Sequence, residues 1–372
     1  MIKKKHIRLS LILLVLIILA CLVEFHFLIF IPSLLLLMFD QELSNKDYRY
    51  ILFFNLCIFL LNFLGVLSFN FIPQALKLYL IRPNPFFWLK EGHAHAIRLL
   101  IASPGGVIAN LFELSLDEGT TIYVSGIVGI ISIYVIRILK KNRALTNTNA
   151  IILLSLLIVL TIRMNGRLIF AFLGIMIIVN AEFSYRKNLI KLFEVKILEI
   201  VGLVFTMVSS GTMSITTLYI VIMSILQWKA VKKRSNILPM FSLFILMLYP
   251  LIVIYIPYFI SFLKKNIDFF GGGIVGIIGM LQHGMMSVLN TDNLAIFAII
   301  VVLGIGVVVI NFFVFVEYVI KKDSDNLPFL LIINLCVYGG MFGLSTALLC
   351  TLPLLVFLVC KFSRLFRFKI FG

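Results

Sequence analysis

The chain has 372 residues, of which 62% are hydrophobic and 13% are charged, and its mean hydropathy is +1.14. A soluble domain has about half apolar and about a quarter charged residues, so this composition excludes a soluble enzyme, a disordered regulator and a fibrous protein. The formal net charge is +16. In a membrane protein such an excess marks the cytoplasmic loops. At roughly 20 residues a span, the apolar content allows at most about 12 transmembrane helices.

The first apolar stretch, Leu9–Phe39, follows four bases and is interrupted by Glu24 and His26. It is too long for one helix, so we predict a tight hairpin with these two residues at the outer surface and the N-terminus in the cytoplasm. Ile51–Phe69 then crosses outward. The mixed segment 71–119, which contains four prolines, is predicted to be a first external loop.

The rest of the chain continues as an alternation of apolar segments and turns. The further predicted spans are Thr120–Leu139, Ala150–Ile162, Leu168–Ala181, Ile197–Val208, Met213–Leu226, Ile237–Ile260, Leu294–Glu317, Phe329–Tyr338 and Leu344–Cys360. Every predicted cytoplasmic turn after the first external loop carries a basic cluster. We therefore predict an all-α, polytopic integral membrane protein with about 12 transmembrane helices. Residues 1–372 form one transmembrane domain with both termini cytoplasmic, and residues 261–293 form a second external loop.

Several bases fall on the predicted outer face, against the orientation signal. They are Lys77, Arg82, Lys90, Arg98, Arg163, Arg167, Lys264 and Lys265. An anionic ligand such as a lipid diphosphate would explain them, because the guanidinium fork matches phosphate oxygens. Arg82 and Arg98 are candidate supporting residues for such a ligand.

The sharpest local feature is the short predicted turn that holds Arg163, Asn165 and Arg167. A continued helix would stack the two arginines on one face, whereas Gly166 allows a break. Either geometry gives a compact cationic cluster at the membrane surface. The alternative interpretation is that both arginines reach to head groups of the outer leaflet.

The first external loop carries Glu91, His93 and His95, of which Glu91 and His93 are the candidates for a general base or acid. The His-x-His pair has no third ligand in the sequence, so no metal is expected. The alternative interpretation is a wet amphipathic loop at head-group level. The apolar stretch Ile97–Phe112, interrupted by Pro104, predicts a re-entrant or surface-lying helix pair.

Two other outer segments are candidates for binding a glycan or a phosphate. Ser209, Ser210 and Thr212 lie in a small hydroxyl-rich turn, which could equally be an ordinary helical hairpin. His283 follows a glycine triplet in the second external loop and is a candidate second acid or base.

Other features indicate structure or exclude a class of protein. Glu199 and Glu317 are predicted to pair locally with nearby lysines. The five cysteines lie in apolar runs and predict no disulfide framework. No Walker A sequence is present, so the chain is not an ATP-driven pump by itself. Charges near the centres of spans are scarce, which weakens an ion-coupled transporter.

With these features the chain resembles the Wzy/EpsG-like bacterial polysaccharide polymerases. The resemblance is carried by the Arg-Met-Asn-Gly-Arg sequence from Arg163 to Arg167 and by Lys90-Glu-Gly-His93. Asp47-Tyr-Arg-Tyr50 is similar to an Asp-Tyr motif of that family, but the predicted topology puts it on the cytoplasmic side. Length, helix number and two larger external loops also agree.

The resemblance implies a glycosyltransferase of the bacterial plasma membrane. It would join oligosaccharide repeats carried on undecaprenyl diphosphate into an O-antigen, capsule or exopolysaccharide, without a metal or another cofactor. A chain-length regulator is a possible partner, and nucleic acid is not. The alternatives are a flippase or exporter for the same lipid-linked glycan, and a membrane O-acyltransferase or ligase.

Overall fold

The computed structural model describes most of the chain, and the regular secondary structure within that part is entirely helical. The prediction of an all-α protein is confirmed for these residues. They are 2–40, 42–93, 95–209, 212–213, 216–221, 223–224, 256–278, 294–321, 326–329 and 351–370. The predicted spans Met213–Leu226, Ile237–Ile260, Phe329–Tyr338 and Leu344–Cys360 lie partly or wholly outside them.

The principal α-helices of the described residues are numbered along the chain. They are α1 (Ile2–Leu22), α2 (Phe30–Phe39), α3 (Tyr48–Phe63), α4 (Pro73–Ile81), α5 (Pro85–Lys90), α6 (Ala96–Leu111), α7 (Leu116–Lys141), α8 (Asn147–Arg163), α9 (Gly166–Arg186), α10 (Leu192–Thr206), α11 (Ile256–Phe269), α12 (Leu294–Lys321) and α13 (Thr351–Ile370). A short 3₁₀ helix, Phe25–Ile29, precedes α2. The segment predicted as the first external loop thus contains α4, α5 and α6.

The centre of the bundle is α7, which packs against α2, α3, α6, α8 and α9. Its start is fixed by a capping box. The Ser115 hydroxyl accepts a hydrogen bond from the Glu118 N–H at 3.2 Å, and the Glu118 carboxylate accepts one from the Ser115 N–H at 2.9 Å. After this start, Ile and Val residues are buried on all sides of the helix.

We name the two ends of the bundle by α7: the Leu116 end and the Lys141 end. α9 runs parallel to α7, since Gly166 packs against Val124 and the Lys141 ammonium group donates to the Asn180 side chain at 2.6 Å. The turn between α8 and α9 therefore lies at the Leu116 end, and the last turns of α9 lie at the Lys141 end.

The neighbouring helices alternate in direction around this pair. α3 runs antiparallel to α7, because Asp47 pairs with Lys140 while Asn62 donates to the Ser125 hydroxyl at 2.8 Å. α8 begins at the Lys141 end, where the Tyr50 hydroxyl donates to the Asn147 side chain. α10 is antiparallel to α9 and packs closely on it.

The predicted first hairpin is present as two packed helices. α1 ends at Leu22, and the Glu24 carboxylate accepts a hydrogen bond from the His26 N–H as it caps the 3₁₀ helix. The Glu24 carboxylate also lies 2.5 Å from His26 Nδ1. Since Ile29 and Pro32 pack beside Gly126 of α7, the hairpin tip lies at the Leu116 end.

The predicted helix pair over Ile97–Phe112 is instead one continuous helix, α6, with Pro104 inside it. A proline in a helix removes the hydrogen bond to the carbonyl four residues earlier. Here the Ser103 hydroxyl donates to that carbonyl, on Leu100, at 2.9 Å. The glycines that follow do not break the helix. Gly105 lies against Thr120, where a Cβ would be 3.0 Å from the backbone of α7.

The outer surface of several helices is apolar rather than polar. Large hydrophobic side chains are exposed along one side of α1, α3, α8 and α12. Examples are Leu14, Phe53, Ile151, Val308 and Phe312, each between 55% and 68% exposed. A soluble protein rarely exposes continuous apolar surface on this scale.

Two helices of the described residues are long and apolar enough to span a membrane by length and composition, namely α7 and α9. Both are mostly buried inside the bundle, and shorter apolar helices surround them. The central helix of a soluble bundle satisfies the same two criteria, so these two helices are weak evidence for a membrane protein when taken alone.

Candidate functional site

Arg163 and Arg167 lie on the two sides of a sharp turn between α8 and α9. α8 ends at Arg163, the next two residues are extended, and α9 begins at Gly166. The Asn165 side chain accepts a hydrogen bond at 3.0 Å from the backbone N–H three residues along and so caps α9. Of the two geometries that the sequence allows, the broken one is observed. The asparagine cap, rather than a special glycine conformation, ends the helical path.

The turn places two cations beside the start of a 21-residue helix. Arg163 and Asn165 are exposed, and Arg167 is half-buried. The first N–H groups of a helix carry partial positive charge and bind anions. The two guanidinium groups and the start of α9 therefore form one cationic turn, which we call the arginine turn (residues 163–167).

The arginine turn is held against α7 by a close contact. A Cβ on Gly166 would lie 3.3 Å from Val124 and 3.7 Å from Phe69, so a larger residue would push the turn away. Phe69 belongs to an extended segment between α3 and α4, and its N–H donates to the Thr121 hydroxyl of α7 at 2.9 Å. The backbone beside the arginine turn is thus fixed by α7.

An aromatic and basic cluster lies on α5 and on the two short connections that join it to α4 and α6. The Trp88 indole N–H donates to the Arg82 carbonyl at 2.8 Å, and the Arg82 guanidinium carbon lies 4.0 Å from the centre of the Phe87 ring. The His93 ring is edge-on to Trp88, with ring centres 5.6 Å apart, and lies 5.7 Å from the His95 ring. We call these five residues the Trp88 cluster. The Arg82 guanidinium group and the ring faces suit an anionic or polyhydroxyl ligand.

Both histidines of the Trp88 cluster are neutral at pH 7. Burial lowers the pKa of His95 to about 4, with smaller effects from the charges of Arg98, His93 and Lys265. Burial and the Lys265 charge also lower the pKa of His93. Lys264 and Lys265 are exposed on α11, and the effect of the Lys265 charge on both histidines indicates that this part of the second predicted external loop lies near the first.

The tautomer of His93 follows from its hydrogen bond. Its Nδ1 accepts from the His95 backbone N–H at 3.2 Å, so the proton of the neutral ring lies on Nε2. The free ring nitrogen of His93 is therefore a donor. Glu91 is exposed and ends α5, which leaves its carboxylate open to solvent. Of the two predicted base candidates, the geometry favours Glu91.

Arg98 differs from the other predicted outer bases, because it is buried, with only 4% of its surface exposed. The positive charge of the buried Arg98 helps to lower the pKa of His95. Its position suits support of the Trp88 cluster better than direct contact with a large ligand.

The hydroxyl-rich turn is less open than the sequence suggests. Ser209 and Thr212 are both buried, and the Thr212 hydroxyl donates to the Ser209 hydroxyl at 3.2 Å. Both lie just beyond the end of α10. Ser210 and His283, which were also predicted to bind substrate, lie outside the described residues.

α7 brings the arginine turn and α6 near each other. Gly105 of α6 packs on Thr120, and Gly166 packs on Val124. Thr120 and Val124 are four residues apart, so they lie on one face of α7, separated by one helical turn. The arginine turn and the helix that follows the Trp88 cluster therefore share one face at the Leu116 end.

Three ion pairs join residues 40–47 to the other end of α7. Asp40 lies 2.5 Å from Arg137, Asp47 lies 2.6 Å from Lys140, and Glu42 lies 2.9 Å from Lys141. Burial raises the pKa of Asp47, but hydrogen bonds from Lys140 and Ser44 outweigh it and hold the pKa below its ordinary value. The Asp47-Tyr motif thus lies at the Lys141 end, opposite to the arginine turn, and the Asp47 carboxylate pairs there with Lys140.

A group of buried charged side chains lies around Glu182 of α9, which was not among the predicted site residues. The predicted local pair of Lys196 and Glu199 is present at 2.8 Å, and Lys196 also donates to the Ser224 hydroxyl. Glu182 and Glu199 are fully buried, and the Arg186 guanidinium lies 3.9 Å from Glu182. Glu182 was not singled out in the sequence because the predicted span ends at Ala181 and a basic turn follows. Glu317 pairs with Lys361 of α13 at 2.7 Å, and the side chain of its predicted local partner Lys321 lies outside the described residues.

No group of three or more His, Cys, Asp or Glu side chains that could hold a metal ion occurs among the described residues. No family model, no curated protein and no solved structure matches the chain.

Proposed function

We propose that the chain is a multi-pass protein of the bacterial plasma membrane, with about 12 transmembrane helices and both termini cytoplasmic. The exposed apolar surface of α1, α3, α8 and α12 supports this, because lipid would cover it. The alternating helix directions and the bases gathered at the Lys141 end support it too. In this arrangement the Lys141 end faces the cytoplasm, and the arginine turn faces outward.

Within that membrane the proposed activity is polymerisation of oligosaccharide repeats carried on undecaprenyl diphosphate. The observation that carries it is the arginine turn, two cations at the start of α9 on the face of α7 that also holds α6. Bases on the outer face are unexpected under the positive-inside rule, and binding of a diphosphate would explain their presence there. The glycan and its lipid carrier would be the partners, with a chain-length regulator as a further protein partner.

The proposed reaction forms one glycosidic bond and breaks one bond to diphosphate. The acceptor hydroxyl oxygen attacks the anomeric carbon of the donor sugar, and the lipid diphosphate leaves with the bonding electrons. Arg163, Arg167 and the start of α9 stabilise the charge that develops on this leaving group. The exposed Glu91 carboxylate takes the hydroxyl proton. The Nε2–H of His93 donates a hydrogen bond to the sugar.

The test replaces both arginines of the turn. We expect Arg163→Ala with Arg167→Ala to abolish long polysaccharide chains, at least about a hundredfold in polymer yield, since loss of one stabilising donor already costs that much. The readout is the chain-length ladder of surface polysaccharide, with membrane insertion checked by immunoblot. The matched control is Lys46→Ala with Arg143→Ala, which removes the same charge from exposed positions at the Lys141 end. Normal chain lengths in the double arginine variant would refute the assignment.

A carrier that moves the same lipid-linked glycan across the membrane is the second candidate. The buried Glu182, Lys196 and Glu199 favour it, because ionisable groups buried within spans are characteristic of ion-coupled transport. For a carrier, Glu182→Gln would stop export while the arginine variants keep it. For a polymerase, Glu182→Gln would leave the chain-length ladder unchanged in a protein that still folds.

A further inference from the structure

A groove opens on the side of the bundle between α3 and α8. Its volume is about 360 Å³, within the range of small-molecule sites. The floor is apolar and includes Phe53, Cys57, Ile151 and Ile158, whereas the mouth at the Lys141 end is polar. The mouth of the groove lies at the end of α8 opposite to the arginine turn.

The mouth of the groove is formed by three side chains that can donate hydrogen bonds. Tyr50 and Asn147 bridge α3 and α8 through the tyrosine hydroxyl and the Asn147 oxygen, so the amide N–H₂ of Asn147 is left to donate. Arg49 is exposed at the same mouth, and its Nε donates to the Lys46 carbonyl at 3.3 Å. The rest of its guanidinium group faces no acceptor that the described residues supply.

Arg49 differs from the bases of α7 at this end, which are in ion pairs. The three carboxylates nearby, on Asp40, Glu42 and Asp47, are each taken by a base of α7. Within the described part of the chain, Arg49 has no carboxylate within 4.0 Å. One positive charge therefore remains at the entrance of an apolar groove, which is the pattern complementary to a lipid with an anionic head group.

We infer that this groove binds one anionic phospholipid. An acyl chain lies against Phe53, Ile151 and Ile158, and the head-group phosphate receives hydrogen bonds from Arg49 and Asn147. The inference requires that the chain lies in a membrane with the Lys141 end cytoplasmic, where anionic lipids attract bases. It does not require that the protein transfers sugars.

The first test measures lipid retention on the purified full-length protein by native mass spectrometry. Samples are prepared in mixed micelles with phosphatidylglycerol or phosphatidylcholine. We expect one retained phosphatidylglycerol, and about tenfold weaker retention in Arg49→Gln, as for loss of one hydrogen bond to a charged group. Arg143→Gln removes the same charge at the same end outside the groove and should retain the lipid. Equal retention in both variants, or equal retention of the two lipids, would overturn the inference.

The second test fills the groove. Ile151→Trp places a large ring on the floor, whereas Ile152→Trp is the matched control, since the neighbouring Ile152 is also exposed and does not line the groove. Only Ile151→Trp should abolish retention of phosphatidylglycerol. An equal effect of the two substitutions would contradict the proposed place of the acyl chain.

The third test uses the unaltered protein and therefore does not depend on the folding of a variant. Cys57 lines the groove and is half-buried, while Cys21 is exposed on α1. Phosphatidylglycerol should slow alkylation of Cys57 by N-ethylmaleimide relative to phosphatidylcholine and leave Cys21 unchanged, as measured by peptide mass spectrometry. An unchanged ratio of the two rates would overturn the inference. The outcome is independent of the chain-length assay, so this inference and the proposed polymerase can fail separately.

Discussion

Single glycines set how closely α6 and α7 approach each other. A Cβ on Gly119 would lie 2.5 Å from the Gly105 carbonyl oxygen and 2.6 Å from the Ala109 nitrogen, so backbone atoms of α6 would have to move. A Cβ on Gly106 would lie 2.6 Å from the Tyr79 ring. These contacts position the helix that follows the Trp88 cluster.

Gly119→Ala is therefore expected to destabilise the protein by about 1–3 kcal/mol, the usual cost of overpacking. The control is Gly306→Ala in α12, because no other described part of the chain comes within 4 Å of a Cβ at that position. The control should be neutral or gain up to about 1 kcal/mol from better helix propensity. Thermal unfolding in detergent measures both, and equal midpoints for the two variants would contradict the close crossing of α6 and α7.

The low pKa of His95 predicts how stability depends on pH. Its pKa is 6.5 in the unfolded chain and about 4 in the folded protein, since burial disfavours the charged ring. Between these values the unfolded chain binds more protons, so stability is lost as pH falls from 6.5 towards 4. The His95→Gln variant should not show this contribution to the loss of stability, and the Lys265→Gln variant should show a smaller loss than the wild type. The readout is the midpoint difference from wild type across that range, and a constant difference would contradict the burial of His95.

At the scale of elements, α6 shows where sequence reasoning fails. Pro104 with two glycines predicts a broken helix, because each residue disfavours a helix interior. The break is absent because Ser103 satisfies the Leu100 carbonyl and the glycines permit close contact with α7. A hydroxyl one residue before a proline is a signal that the sequence does contain.

This explanation predicts that Ser103 and Pro104 are energetically coupled. Ser103→Ala should cost about 1 kcal/mol in the wild-type background, as for one lost hydrogen bond. In the Pro104→Ala background it should cost little, because a backbone N–H then reaches the Leu100 carbonyl. A double-mutant cycle on unfolding free energy measures the coupling. Additive effects would mean that the Ser103 hydroxyl does not replace the missing backbone bond.

The candidate site could be predicted in part. The arginine turn stands out in the sequence because two arginines and an asparagine interrupt apolar segments, and the turn is at the predicted place. The break between α8 and α9 depends on the Asn165 cap and on the contact of Gly166 with α7. These two interactions are known only from the structure. The buried state of Ser209 and Arg98 could not be predicted either, because each depends on neighbouring elements.

At the scale of the whole molecule, the alternation of apolar segments and basic turns predicts the order and direction of α1 to α3 and α7 to α10. Each such segment is an apolar stretch that ends in a polar or basic turn, so local composition is enough to identify it. Partners across the bundle are different. Glu317 pairs with Lys361, 44 residues away, and Glu182 lies near Glu199 of the next helix. These contacts depend on which helix faces pack together, and the local pattern of a single sequence does not show this packing.

The most direct test of the central claim locates the lipid-linked repeat in a strain from which this protein has been deleted. A polymerase acts after the repeat has crossed the membrane, so we predict that single repeats on undecaprenyl diphosphate accumulate on the outer leaflet. Labelling of intact cells with a glycan-specific lectin or a membrane-impermeant oxidant would detect them there. Accumulation on the inner leaflet, or no accumulation, would contradict the proposed polymerase, and the former result would identify a carrier.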